Sequence, residues 1–129
     1  LERMGDHIFS VSSEITSGLL PNVLSIDTLP MKSIQCFLPE LKILMSNIKS
    51  QQPKVVHQSC SVLREQGRIL LEFEEELLAN KNQNDSPDLV FHYRLAEAFR
   101  RLCAYGVDIS ESLINIHSHD SSILREIQD

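Results

Sequence analysis

The sequence predicts an all-α fold, an up-down antiparallel helical bundle. Three observations predict it. Apolar residues recur at spacings of three and four along four long segments. Gly (4) and Pro (5) are few and Trp is absent, which is too little turn chemistry for a sandwich of many short strands. The connectors are short, so long helices must fold back on one another. With 129 residues and a mass of 14.7 kDa, the chain has one domain's worth of core. Its 42% hydrophobic and 23% charged residues exclude disorder and a fibrous repeat.

The elements follow in order. Leu1, Met4, Ile8, Val11 and Ile15 form an amphipathic stripe, with Gly18 placed as a C-cap. No N-cap precedes this helix, so it reads as the truncated end of another unit. Residues 20–29 are a linker. Asp27 or Thr28 caps a second helix with Pro30 in its first turn. That helix runs to about Ser50, with Ile34, Phe37, Leu41, Leu44 and Ile48 inward, and Pro39 should kink it or displace its start. Ser50 then caps a third helix with Pro53 in its first turn. Its stripe is Val55, Val56, Val62, Leu63, Ile69, Leu70, Phe73 and Leu77, and it ends near Lys81. Glu72, Glu74, Glu75 and Glu76 read as its solvated face. Ser86-Pro87-Asp88 starts a fourth helix. Leu95, Phe99, Leu102, Gly106, Ile109, Leu113 and Ile116 give it a heptad-like seam, ending near His117–Asp120. Ser121 or Ser122 caps a short tail helix with Ile123, Leu124 and Ile127. Residues 30–117 thus make a three-helix bundle, with residues 1–19 the end of a first bundle and 118–129 a tail.

Charge and cysteine usage narrow the function. The net charge of −6, from 12 basic and 18 acidic residues, gives nucleic acid or anionic lipid nothing to grip. No apolar run approaches the roughly 20 residues of a membrane span, and no secretory leader is seen. Cys36, Cys60 and Cys103 lie far apart without a CxxC, so buried free thiols in a reducing, cytoplasmic compartment are expected.

An internal repeat links the first and last long segments. Shifted by 98 residues, LERMGDHIFSVSSEI overlays FRRLCAYGVDISESL. Leu1 meets Phe99, Arg3 meets Arg101, Met4 meets Leu102, Val11 meets Ile109, Ser12 meets Ser110 and Ile15 meets Leu113. Two tandem three-helix bundles, the end of one and all of the next, account for this pattern.

Glu2 and Asp6 stand four apart on one helix face, a like-charge pair that helices avoid or supply with a cation. With matching carboxylates from a second helix they would form a hard oxygen cage for iron, manganese, magnesium or calcium. Gly5 between them would let a neighbour approach closely, and Arg3 offers the alternative of a simple ion pair. His117-Ser118-His119-Asp120 reads as a solvated turn, and His7 as a packed or hydrogen-bonded side chain. His57 and Cys60 lack an acidic orienter, which argues against a Cys–His nucleophile. Ser10, Ser12 and Ser13 lie in no nucleophile elbow, and no phosphate loop or dinucleotide fingerprint occurs. Catalysis is not indicated.

The segment LERMGDHIFSVSSEI resembles the signature helix of the PhoU family, bacterial phosphate-uptake regulators built from two three-helix bundles. Six of seven positions match L-E-R-I-G-D-H, with Met4 in place of Ile. The resemblance implies an ExxxD metal site at Glu2 and Asp6, taking iron or another divalent metal. In the second repeat Arg100 and Ala104 replace the two acids, and the adjacent helix aligns with Gln66 and Leu70. That site therefore reads as lost, with Arg100 as a built-in cation. By resemblance the partners are the phosphate ABC transporter ATPase and a phosphate-sensing histidine kinase at the inner face of the membrane. An alternative is the cytoplasmic C-terminal domain of a sodium/phosphate cotransporter, whose partner is its own membrane domain. A homodimer is allowed by either reading, and nucleic acid by neither.

Overall fold

A computed structural model describes residues 2–16, 27–50, 52–80 and 87–128. Four helices account for nearly all of them: α1 (Glu2–Thr16), α2 (Leu29–Ser50), α3 (Pro53–Ala79) and α4 (Pro87–Gln128). No strand occurs among the described residues. The all-α bundle is therefore as the sequence predicts. Gly18, most of the linker, Lys81 and Ser86 lie outside the described residues.

Local chemistry explains most of the boundaries. Lys32 N–H donates to Thr28 C=O at 3.0 Å, so Thr28 sits at the N-terminal cap position of α2, with Pro30 in the first turn. Pro39 does not end the helix, which runs through it. A proline there removes one backbone donor. Both Pro39 and Gln35, four residues earlier, are exposed, so water reaches the carbonyl left over. Ser50 closes α2 and does not cap α3. The cap position of α3 is the extended Gln52, whose side chain makes no capping bond. The side-chain carbonyl of Asn47 instead accepts from Gln52 N–H at 3.3 Å. Pro53 then begins α3, where its missing N–H costs nothing.

The contacts between α3 and α4 run in opposite directions along the two helices. Arg64 meets Glu111, and Glu74 meets Arg100. Between these pairs, Leu63 lies against Gly106 and Gly67 against Cys103. These are the marks of antiparallel packing. Only residues 51 and 52 separate α2 from α3, so these two also form a hairpin. Phe37, Leu44, Val56, Leu63, Leu70, Leu95, Phe99 and Leu102 make the shared core. Each large apolar side chain so buried contributes roughly 1.5–3 kcal/mol. A β-carbon at Gly106 would stand 2.7 Å from Leu63 Cδ1, so glycine lets α4 approach α3 there.

Other expectations fail. Ile8, Ile48 and Ile116 are about half exposed rather than inward. The tail helix is not separate: α4 continues unbroken to Gln128, past His117–Asp120. No glycine or proline interrupts residues 107–128, so nothing stops the helix. At 1.5 Å per residue α4 is about 63 Å long against about 40 Å for α3, and it outruns the bundle. Lastly, Cys36 is exposed, whereas Cys60 and Cys103 are buried free thiols.

Candidate functional site

Among the described residues α1 packs on α4 alone, and that packing orients its acidic pair. Met4 turns into the common core. His7 also faces α4. Its Nε2 lies 3.2 Å from the Tyr105 hydroxyl, with the two rings 5.5 Å apart and tilted by 36°. Glu2 and Asp6 consequently point away, and both are exposed. Nothing lies within 4 Å of where a β-carbon on Gly5 would be, so no neighbour makes the close approach expected there.

A hard divalent cation takes six or more oxygen ligands. Glu2 and Asp6 supply two carboxylates on one face. Among the described residues no three His, Cys, Asp or Glu side chains converge in a way that could hold a metal. Two carboxylates alone fall short of that number.

The equivalent turn of α4 is built differently. Arg100 reaches across to α3, where its Nε donates to Glu74 Oε2 at 2.5 Å and its Nη2 to Oε1 at 3.3 Å. This is a two-pronged guanidinium–carboxylate pair, the geometry arginine is shaped for. The hydrogen bond to Glu74 drives the Arg100 pKa further above its ordinary range, against the opposing effect of partial burial. Glu74 is only 3% exposed. It was expected on the solvated face with Glu72, Glu75 and Glu76, but it follows Leu63, Gly67 and Leu70 on the inward stripe. Gln66 is half-buried and Leu70 fully buried, and the acid that α3 presents to α4 comes one turn after Leu70. Two residues read separately, one as a lost ligand and one as surface, are partners.

A groove runs between the start of α3 and the later turns of α4. One part, about 390 Å³, is lined by His57, Ser61 and the Arg64–Glu111 ion pair. The adjoining part, about 500 Å³, is lined by His57, His117, Ser122 and Arg125. His117 thus lies within a continuous helix beside a groove, where a solvated turn was expected. His57 and Cys60 border the groove, but Cys60 is buried while His57 is exposed, and no acid orients the imidazole.

No family model, curated protein or solved structure matches this chain. What the site does is argued from its residues.

Proposed function

We propose that the chain is part of a PhoU-like regulator of phosphate uptake and phosphate-starvation signalling, acting through protein contacts rather than catalysis. One observation carries the reading: His7 touches Tyr105, its own counterpart at the 98-residue offset. Elements related by a two-fold bring equivalent residues together at the axis. Two further equivalences support the repeat. Met4 and Leu102 are both buried. Ser12 and Ser110 each donate to the carbonyl four residues earlier, Ile8 and Gly106, at 2.8 Å. In this reading Glu2 and Asp6 hold iron or another divalent metal, completed by ligands outside the pair. The partners are the transporter ATPase and the sensor kinase. The test is co-purification of the full-length protein with each partner at high phosphate. Retention of either is expected, and repeated absence of both overturns the proposal.

The Glu74–Arg100 pair favours a second reading. A repeat that carries its own cation suits a docking domain, such as the C-terminal domain of a sodium/phosphate cotransporter. No described helix is long and apolar enough to cross a membrane. Several upstream apolar stretches of about 20 residues would select this reading.

A further inference from the structure

The second helix carries two seams. One, through Phe37 and Leu44, is buried in the bundle. The other reads Met31, Ile34, Leu38, Leu41, Met45 and Ile48, with spacings of three and four in strict alternation. That is a heptad seam of six apolar residues, the pattern that receives another helix. Met31, Ile34 and Leu41 rest partly against the core. Leu38, Met45 and Ile48 are 57%, 42% and 48% exposed. Among the described residues nothing covers this strip, since α1 packs only on α4.

Charge identifies what fits it. With Met31, Leu38 and Met45 at heptad position a and Ile34, Leu41 and Ile48 at d, position e holds Gln35, Lys42 and Lys49. Position g falls on the buried side at Phe37 and Leu44. The open flank of the seam is therefore basic, in a chain whose net charge is −6. Among the described residues Lys42 and Lys49 make no ion pair. Charges flanking such a seam set which helix pairs with it. A second copy of α2 laid antiparallel would set lysine against lysine. Laid parallel, it would set lysine against buried Phe37 and Leu44.

We propose that this strip of α2 docks an amphipathic helix of a partner protein whose apolar heptad seam is flanked by Asp or Glu. The proposal stands whether or not the phosphate reading holds.

The test uses the full chain and two labelled synthetic peptides. Each peptide has three heptads with leucine at a and d. One carries Glu at e and g, and the other Lys. Fluorescence anisotropy should show the acidic peptide bound at least about tenfold more tightly, with the preference shrinking as salt screens the charges. Lys42→Glu with Lys49→Glu should reverse the preference. Leu38→Asp with Met45→Asp should abolish binding of both peptides. All four side chains are exposed, and circular dichroism confirms that each variant keeps its helices. Equal binding of the two peptides overturns the proposal, as does failure of both to bind or binding that survives the aspartates. A dimer in sedimentation that Leu38→Asp dissolves also overturns it, because a second copy would then be the occupant.

Discussion

Glu2 and Arg100 occupy the same turn of the same helical pattern, yet one faces solvent and the other is tied to a buried acid. Around them two equivalent positions keep their surroundings. Met4 and Leu102 are both buried, and the tilted rings of His7 and Tyr105 lie 5.5 Å apart. The difference shows what burial fixes along a helix and what it leaves open. Packing fixes the positions that are buried, because close fit constrains each such side chain. Charge is fixed only where it is buried. Glu74 is buried, so the turn facing it must carry a cation, and Arg100 provides one. The corresponding acids of α1 face solvent, where a pair of like charges costs only about 0.2–0.5 kcal/mol.

The largest effect follows from breaking the buried pair. Arg100→Met leaves Glu74 buried without a partner, and urea unfolding should register a loss of about 3 kcal/mol. Adding Glu74→Leu should restore most of that loss, since two apolar side chains can replace a buried ion pair at little cost. Arg64→Ala breaks the pair with Glu111, in which both side chains are at least half exposed, and should change stability by no more than about 0.5 kcal/mol. Equal losses for Arg100→Met and Arg64→Ala would mean that Glu74 is not sealed from water.

A smaller loss is expected at the closest approach of α3 and α4. Gly106→Ala gains up to about 1 kcal/mol of helix propensity. It also drives a methyl group against fully buried Leu63, an overpacking that costs about 1–3 kcal/mol. The net should be a modest destabilisation in thermal melts. Leu63→Val in the same chain should relieve part of the crowding.

How much of this was legible in the sequence depends on which forces act. Helix positions were, because Met4, Leu63, Leu70, Leu95 and Leu102 repeat at helical spacing and Pro30, Pro53 and Pro87 sit where helices start. The stripe on α2 was only half legible. Its two seams overlap in sequence, so Ile48 was counted inward when it belongs to the exposed one. Glu74 was illegible as a buried residue, since four glutamates within five positions look like one solvated run. Only the α3–α4 register separates Glu74 from Glu75. The continuous α4 was missed because the polar run from His117 to Ser122 looks like an ending, although polar residues extend a helix well when no glycine or proline intervenes. At the acidic pair, the sequence supplied the two carboxylates, but any further ligands lie beyond what spacing reports.

The repeat also sets Gly5 against Cys103, and here the contrast is exposure. Burial, helped by nearby Cys36, pushes the Cys103 thiol up to about 11, above its ordinary value of 9.0. A thiol with a raised folded-state pKa stabilises the fold below its unfolded value, and that contribution is lost as pH rises toward the folded value. Stability should therefore decline between about pH 9 and 11, and Cys103→Ala should flatten the decline. At pH 8 a thiol reagent should label exposed Cys36 first and leave Cys60 and Cys103 untouched until unfolding.

The smallest effect sharpens the comparison most. A β-carbon at Gly5 would meet nothing within 4 Å, so Gly5→Ala should stabilise α1 by about 0.5–1 kcal/mol through helix propensity alone. Hydrogen exchange of the α1 amides, slowed in the variant of this chain, reads that gain directly. The proposed first bundle makes the opposite demand, because a helix bringing carboxylates to Glu2 and Asp6 has to pass close to Gly5. In the full-length protein the same substitution should then weaken metal binding at the pair even as it slows exchange in the isolated chain. If exchange slows in both and metal affinity does not change, Glu2 and Asp6 face open solvent in the whole protein, and the equivalence between the two turns ends at their apolar stripe.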